Sequence, residues 1–367
     1  MSIFISTGEL SGDLYAAKIS SALHKINPDE LLWGMGGTLA AGVDREWNND
    51  LLHILGLGKI LKNLSKLLSL RRQLATAVIQ RQPKAVIVID SPDFHIPLLA
   101  KIRSMGYKGR VFYICPPTIW AWRSGRAKYL KRYCDLCFPL FKFEETALEE
   151  HGVKSFWCGN PLIDDLDNYI PQQILPEDPS RIALLPGSRK SEITNLMPIL
   201  EEVALKLKGL GFRPVFSVAP GLDDECKNMV VRNKAGIEFT LASGRDLMFQ
   251  SQFVIGASGT ASVEAMLLGK YMIVLYKGTA LEWHIYKALT HTRFVSIPNV
   301  LAGRMFFPEL IQDDAKADKV LHFAEKYIND VNYRENICEQ LVKNRSMMGS
   351  KGTVERWAET INKLVNS

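Results

Sequence analysis

Ala85-Val86-Ile87-Val88-Ile89-Asp90-Ser91-Pro92-Asp93 is the stretch whose reading decides the fold. Five consecutive apolar residues, four of them β-branched in a row, read as a strand buried on both faces, the mark of a parallel sheet. A carboxylate follows at once, and Ser-Pro opens a turn. In open α/β sheets, chemistry gathers just beyond the carboxyl ends of the strands. Asp90 stands there. Asp before Ser-Pro is also ordinary turn chemistry, so position alone leaves a capping role open.

The same pattern extends in both directions. Strands are expected at Met1–Ser6, Leu31–Met35, Arg110–Ile114 and Lys154–Cys158. After the first comes the loop Gly8-Glu9-Leu10-Ser11-Gly12-Asp13, then a helix with Ala16, Ile19, Leu23 and Ile26 on one stripe. A polar break at Asp164–Pro179 holds Pro171, Pro176 and Pro179 and reads as a linker. The pattern then restarts with strands at Arg181–Leu185, Val215–Val218, Phe253–Gly256 and Tyr271–Tyr276, with a helix from about Glu192. Apolar runs alternating with amphipathic stretches predict an α/β protein with two Rossmann-like domains facing across a cleft. The expected boundaries are residues 1–165, residues 180–345, and a C-terminal segment, 346–367, carrying a helix at Thr353–Val365.

Composition bounds the class. At 367 residues, with 47% hydrophobic and 23% charged residues, the chain is globular and large enough for two cores. The N-terminus lacks the basic and apolar regions of a signal peptide, and no uncharged stretch is long enough to span a bilayer. Six scattered cysteines fit reduced thiols. Cys134 and Cys137 form a CxxC, but no second pair or well-spaced His completes a zinc set.

Charge is the most uneven property. Between Leu51 and Cys134 stand sixteen Lys and Arg against only Asp90 and Asp93, a local balance of +14 within a whole-chain +6. Such a surface suits an anionic partner: membrane headgroups, phosphates or nucleic acid. Within it, Ile54–Leu74 is acid-free, with a stripe of Leu57, Leu61, Leu64 and Leu68 flanked by Lys59, Lys62, Lys66, Arg71 and Arg72. Helices of this kind lie on anionic bilayers, although a core-facing helix with a solvated basic face has the same pattern. The span lacks RNP-like aromatics and a helix-turn-helix, which argues against nucleic acid.

Three loops carry candidate chemistry. Glu9 would repel a phosphate placed at the first loop, so that loop suits sugar hydroxyls or an acid–base group better. Leu185-Pro186-Gly187-Ser188-Arg189 pairs a guanidinium with a helix start, where an anion can be shared. Gly256-Ala257-Ser258-Gly259-Thr260-Ala261-Ser262 offers amides and hydroxyls to a pyrophosphate, with Glu264 four residues beyond Thr260. Trp120-Ala121-Trp122-Arg123 reads either as a packed corner or as an amphipathic wall near a lipid or sugar.

In order along the chain, Gly8-Glu9-x-Ser11-Gly12-Asp13, Ile89-Asp90-Ser91-Pro92-Asp93-Phe94, Pro117–Arg123 and Leu185–Arg189 resemble one family. Ala257-Ser258-Gly259-Thr260-Ala261-x-x-Glu264, Pro298–Gly303 and Pro308-Glu309-Leu310-x-Gln312 continue the match. The family is the lipid-A-disaccharide synthases, inverting glycosyltransferases of GT-B type, and the resemblance covers roughly the whole chain. It implies transfer from UDP-2,3-diacylglucosamine to 2,3-diacylglucosamine 1-phosphate through a β-1,6 bond, with release of UDP. It further implies no metal or cofactor, and a cytoplasmic enzyme peripheral to the anionic inner-membrane surface. A homodimer is left open.

By the same resemblance, Asp90 is the general base, with Glu9 and Arg189 beside it in the chemistry. Ser188, Arg189, Ser258, Gly259, Thr260, Glu264, Asn299, Glu309 and Gln312 are assigned to the donor. Ser11, Asp93, Trp120 and Arg123 are assigned to the acceptor. Three places depart from the family pattern: His95 stands where Asn is usual, Asn160 where His is usual, and residues 139–144 disrupt the usual Pro-Phe-Glu. His95 is itself a candidate acid–base group. Another UDP-sugar transferase or a UDP-sugar epimerase is the nearest alternative; a non-catalytic nucleotide-sugar binder would lack the base that Asp90 provides.

Overall fold

The computed structural model describes residues 2–53, 60–176, 178–278 and 292–366. They form two compact units, Met1–Pro161 with Ser350–Ser367, and Leu162–Gly349. Each unit is built on a six-stranded parallel sheet.

In the first unit the strands are β1 (Ser2–Thr7), β2 (Leu31–Met35), β3 (Asp44–Trp47), β4 (Ala85–Ile89), β5 (Arg110–Ile114) and β6 (Leu136–Phe138), in spatial order β3-β2-β1-β4-β5-β6. In the second they are β7 (Arg181–Leu185), β8 (Arg213–Ser217), β9 (Glu238–Thr240), β10 (Val254–Ala257), β11 (Met272–Tyr276) and β12 (Glu309–Ile311), in order β12-β11-β10-β7-β8-β9. Both orders are the doubly wound 3-2-1-4-5-6 of dinucleotide-binding folds. The strand order reverses beside β1 and β4 in one unit and beside β7 and β10 in the other, and the expected loops leave those strands.

The described helices up to Leu267 are α1 (Leu10–Ile26), α2 (Asp50–His53), α3 (Ile60–Arg81), α4 (Pro92–Ser104), α5 (Ala127–Tyr133), α6 (Lys142–Glu150), α7 (Leu162–Leu166), α8 (Lys190–Gly209), α9 (Asp224–Val231), α10 (Gly244–Phe249) and α11 (Thr260–Leu267). Both faces of the first sheet are covered. One core holds Phe4, Trp33, Leu74, Val86, Val88 and Tyr113 under α3 and α4. The other holds Ile5, Ile19, Ile87, Phe112 and Phe138 with Trp357 and Ile361 of the last helix, Thr353–Asn366. That helix therefore completes the first unit, and Arg356 ties it down by donating to the main-chain oxygen of Cys158 at 2.6 and 3.0 Å. Trp357 is fully buried, a position where truncation to Ala costs about 3–5 kcal/mol.

The strand expected at Lys154–Cys158 does not form. Only Ser155 bridges to Cys137. The Trp157 amide instead donates to the Glu145 carboxylate at 2.6 Å, which withdraws it from a ladder. The sixth strand is the preceding Leu136–Phe138. Sequence reading also missed β3, β9 and β12, all edge strands of three or four residues, the first two with exposed polar residues.

Candidate active site

The register levels the ends of the central strands: Thr7 pairs with Ile89, and Ile89 with Ile114. The chain then leaves β1 and β4 side by side. A Cβ on Gly8 would lie 2.0 Å from the Ser91 hydroxyl, so only glycine lets the two loops meet. Asp90 and Ser91 both take left-handed backbone, with φ of +54° and +45°. Non-glycine residues in that region are held there by their surroundings, often at working sites.

The clamp is visible. The Asp90 amide donates to Ile114 at 3.1 Å. Its main-chain oxygen accepts from the Tyr113 hydroxyl at 2.8 Å and from His95 Nδ1 at 2.7 Å. His95 Nε2 meets the Ser6 hydroxyl at 2.9 Å. Both ring nitrogens of His95 are thus engaged, and burial pushes its pKa down to about 4. The expectation that His95 is an acid–base group is corrected: it is a neutral strut under Asp90. The Asp90 carboxyl itself is pushed up to about 6, by burial first and then by the charge of Glu9, with the Ser91 amide opposing. A carboxyl placed so, ionised at neutral pH yet basic enough to take a proton, suits general-base work.

Glu9 and Ser11 are exposed at the start of α1. Asp13, beyond them, is fully buried and accepts from Thr7, from the Gly37 amide at 3.0 Å and from Asn49 at 2.9 Å. It pins the β1 loop to the loops after β2 and β3. Asp93 is exposed and takes Arg123 at 3.1 Å, together with Arg126. The two tryptophans divide their tasks. Trp120 turns inward and donates to Glu144 at 3.1 Å, edge-on to Phe143. Trp122 carries the Arg123 guanidinium over its ring at 4.5 Å. Glu144 also accepts from the amides of Leu140 and Phe141, and burial pushes its pKa up to about 7. The departures thus have defined places: Glu144 anchors the Trp120 loop, and Asn160, fully buried, donates to Leu140 at 3.3 Å.

In the second unit a cavity of about 520 Å³ brings together Ser188, Arg189, Ser258, Gly259, Thr260 and Glu264. Gly259, with φ of +146°, turns the chain into α11, whose first turn carries no acid and opens on the cavity. Glu192 accepts from the amides of Ser188 and Arg189 at 2.9 and 3.2 Å and lies 3.2 Å from the Arg189 guanidinium. Arg189 is otherwise three-quarters exposed. Arg245 was not singled out in the sequence. It enters the cavity and donates to Glu264 at 2.8 and 2.9 Å, while burial raises the Glu264 carboxyl against that pull.

Asn299, Glu309 and Gln312 form a separate cluster after β11. Glu309 accepts from the Val295 and Ser296 amides and from Asn299 Nδ2 at 2.8–2.9 Å. The buried Asn299 caps the amides of Phe306 and Phe307 at 3.0 Å. Gln312 accepts from the Gly278 amide at 3.2 Å. Among the described residues, no three or more His, Cys, Asp or Glu are grouped to hold a metal.

Two doubly wound sheets, with the cavity at the strand ends of the second, define a GT-B-type protein. Solved structures share the fold. An S. aureus MnaA–UDP structure superposes with a TM-score of 0.68 at 16% identity, covering 100% of this chain and 97% of that one. The Neisseria meningitidis UDP-GlcNAc 2-epimerase bound to UDP-GlcNAc gives 0.65 at 12%, covering 100% of both. The sequence is more particular. The lipid-A-disaccharide synthase of Myxococcus xanthus is 31% identical over 376 residues, 99% of this chain and 97% of its own length. That of Anaeromyxobacter dehalogenans is 32% identical over 370 residues, 98% and 96%. The family model described as lipid-A-disaccharide synthetase matches residues 3–361. The chain belongs to the lipid-A-disaccharide synthase family and is a glycosyltransferase.

Proposed function

We propose that this protein joins UDP-2,3-diacylglucosamine to 2,3-diacylglucosamine 1-phosphate through a β-1,6 bond and releases UDP, with Asp90 as the general base. Asp90 takes the proton of the acceptor 6-hydroxyl as that oxygen attacks the donor anomeric carbon. The bond from that carbon to the UDP oxygen breaks, and the diphosphate carries away the electron pair. Arg189 and the Ser258–Thr260 loop receive the growing negative charge, and Glu264 orients the nucleotide. Ser188 and Gly259 line the same pocket, and Asn299, Glu309 and Gln312, assigned to the donor by the family resemblance, brace the backbone of their own separate cluster. Glu9 keeps Asp90 basic. Ser11, Asp93, Trp120 and Arg123 shape the acceptor side.

The observation that carries this reading is the Asp90 carboxyl at a strand end, its backbone clamped from beneath and its pKa moved to about 6. The family match favours transfer over epimerisation, since the epimerases share the fold at 12–16% identity.

The first unit is the face turned to the membrane in this reading. On α3, Leu67 and Leu74 enter the core, whereas Leu64 and Leu68 are 43% and 51% exposed beside the exposed Lys66. An apolar ridge flanked by cations supports docking on an anionic bilayer. Leu57, Lys59, Leu61 and Lys62, of the same stripe, lie outside the described residues or side chains. No described helix is long and apolar enough to cross a membrane. By the family resemblance, this reading puts the enzyme at the cytoplasmic side of the inner membrane, with a homodimer left open.

Incubating the purified protein with both lipid substrates, followed by mass spectrometry, tests the reaction. A phosphorylated tetra-acyl disaccharide with one equivalent of UDP is expected. UDP with free diacylglucosamine, or an isomerised UDP-sugar, would overturn it.

A further inference from the structure

The +14 span places three arginines around one acid. Arg123 and Arg126 both reach Asp93 Oδ1, and Arg71 of α3 donates to the main-chain oxygen of the same residue at 3.3 Å. Arg71 also lies over the Phe94 ring at 5.4 Å, and its Nε is buried without a hydrogen-bond partner among the described residues. Arg123 and Arg126 flank the Trp122 ring at 4.5 and 5.5 Å, so the indole fixes where the guanidiniums sit. Arg123 is held in left-handed backbone, φ +50°. Three cations against one carboxylate leave a local surplus of +2. Asp93 is 77% exposed, so the cluster opens to solvent rather than closing as a buried structural pair. It stands in the first turn of α4, three residues beyond Asp90.

We propose that Arg71, Arg123 and Arg126 form a clamp for a phosphomonoester on the acceptor lipid. A phosphomonoester carries close to two negative charges at neutral pH and three acceptor oxygens, which matches the surplus and the forked donors. Phosphodiester headgroups carry a single charge and match it less well. Asp93 keeps the guanidiniums together when the clamp is empty. One helical turn separates this anion from Asp90, so the phosphate end of the sugar is fixed while another hydroxyl faces the base. This inference rests on the acceptor reading of the first unit and adds the group that reading leaves unassigned.

The test compares two acceptors in nonionic detergent, 2,3-diacylglucosamine 1-phosphate and its dephosphorylated counterpart, with UDP-2,3-diacylglucosamine as donor. The parent is expected to prefer the phosphorylated acceptor. Arg126→Gln and, separately, Arg71→Gln should reduce that preference about 10- to 100-fold, chiefly through acceptor KM, the scale of a lost charge-assisted contact. Arg126→Lys should restore part of it. Retained turnover on the dephosphorylated acceptor, with an unchanged circular-dichroism spectrum, certifies that the first unit of each variant is folded. Variants that keep the parent's preference, or lose rate equally on both acceptors, would overturn the clamp. So would variants that keep the preference but lose binding to phosphatidylglycerol vesicles, which would assign the arginines to membrane headgroups. If the parent makes no disaccharide from either acceptor, the acceptor reading itself fails instead.

Discussion

His95 Nδ1 lies 2.7 Å from the main-chain oxygen of Asp90, and the two residues bracket the first turn of α4. The ring serves as a strut because both nitrogens are spent, one on Asp90 and the other on Ser6. An Asn side chain also carries a donor and an acceptor. His95→Asn should therefore keep turnover within about tenfold, whereas His95→Phe, which leaves the Asp90 oxygen and the Ser6 hydroxyl short of partners, should cost about 1–3 kcal/mol of stability. Denaturant melts and initial rates on both variants check this.

The same histidine should make the protein acid-sensitive. Its folded pKa, about 4, is below the unfolded value near 6.5. The unfolded chain therefore binds the proton first, and stability falls as pH drops from about 6.5 towards 4. His95→Asn should flatten that limb of a stability–pH curve; an unchanged slope would show that other groups dominate it.

Asp90 runs the opposite way. Its folded pKa is raised to about 6, so the folded state holds the proton more tightly and stability falls as pH rises from about 4 to 6. At pH 7.5, Asp90→Asn should gain about 1–3 kcal/mol, since Asn also tolerates the left-handed backbone. Activity has the reverse dependence. The base must be ionised, so kcat/KM should fall about tenfold per pH unit below about 6.

The central strands were legible in the sequence because burial on both faces writes itself as an unbroken apolar run. Ala85–Ile89 and Arg181–Leu185 are read with their observed limits. Edge strands such as Asp44–Trp47 bury one side at most and carry no such run. Asp90 was legible from its place after such a strand. Arg245 was not, because it reaches Glu264 from a helix nineteen residues earlier, through the packing of two short helices that no local pattern encodes. His95 was misjudged for a related reason: its type advertises acid–base chemistry, and only burial shows both nitrogens committed.

Arg189 is expected to bind the donor diphosphate from its exposed place beside α8. Arg189→Ala should weaken UDP-sugar binding or the chemical step by about 2–4 kcal/mol. Calorimetry with UDP, alongside kinetics, decides this. Unchanged affinity together with unchanged rates would remove Arg189 from the site.

The basic Ile54–Leu74 stretch should respond to salt. Replacing Lys59, Lys62 and Lys66 with Gln should weaken binding to anionic vesicles, most visibly at low ionic strength, with about 1 kcal/mol at stake per charge. Activity on detergent-dispersed short-chain substrates should persist. Flotation equal to the parent's would place the membrane contact elsewhere.

Asp90 as general base is the claim on which the rest depends, and one variant tests it most directly. Asp90→Asn, assayed at pH 7.5 with both lipid substrates and titrated with UDP, is predicted to lose at least about a hundredfold in kcat while binding UDP as tightly as the parent. Turnover within about tenfold of the parent, with UDP binding intact, would contradict the account and move the base to Glu9 or Asp93.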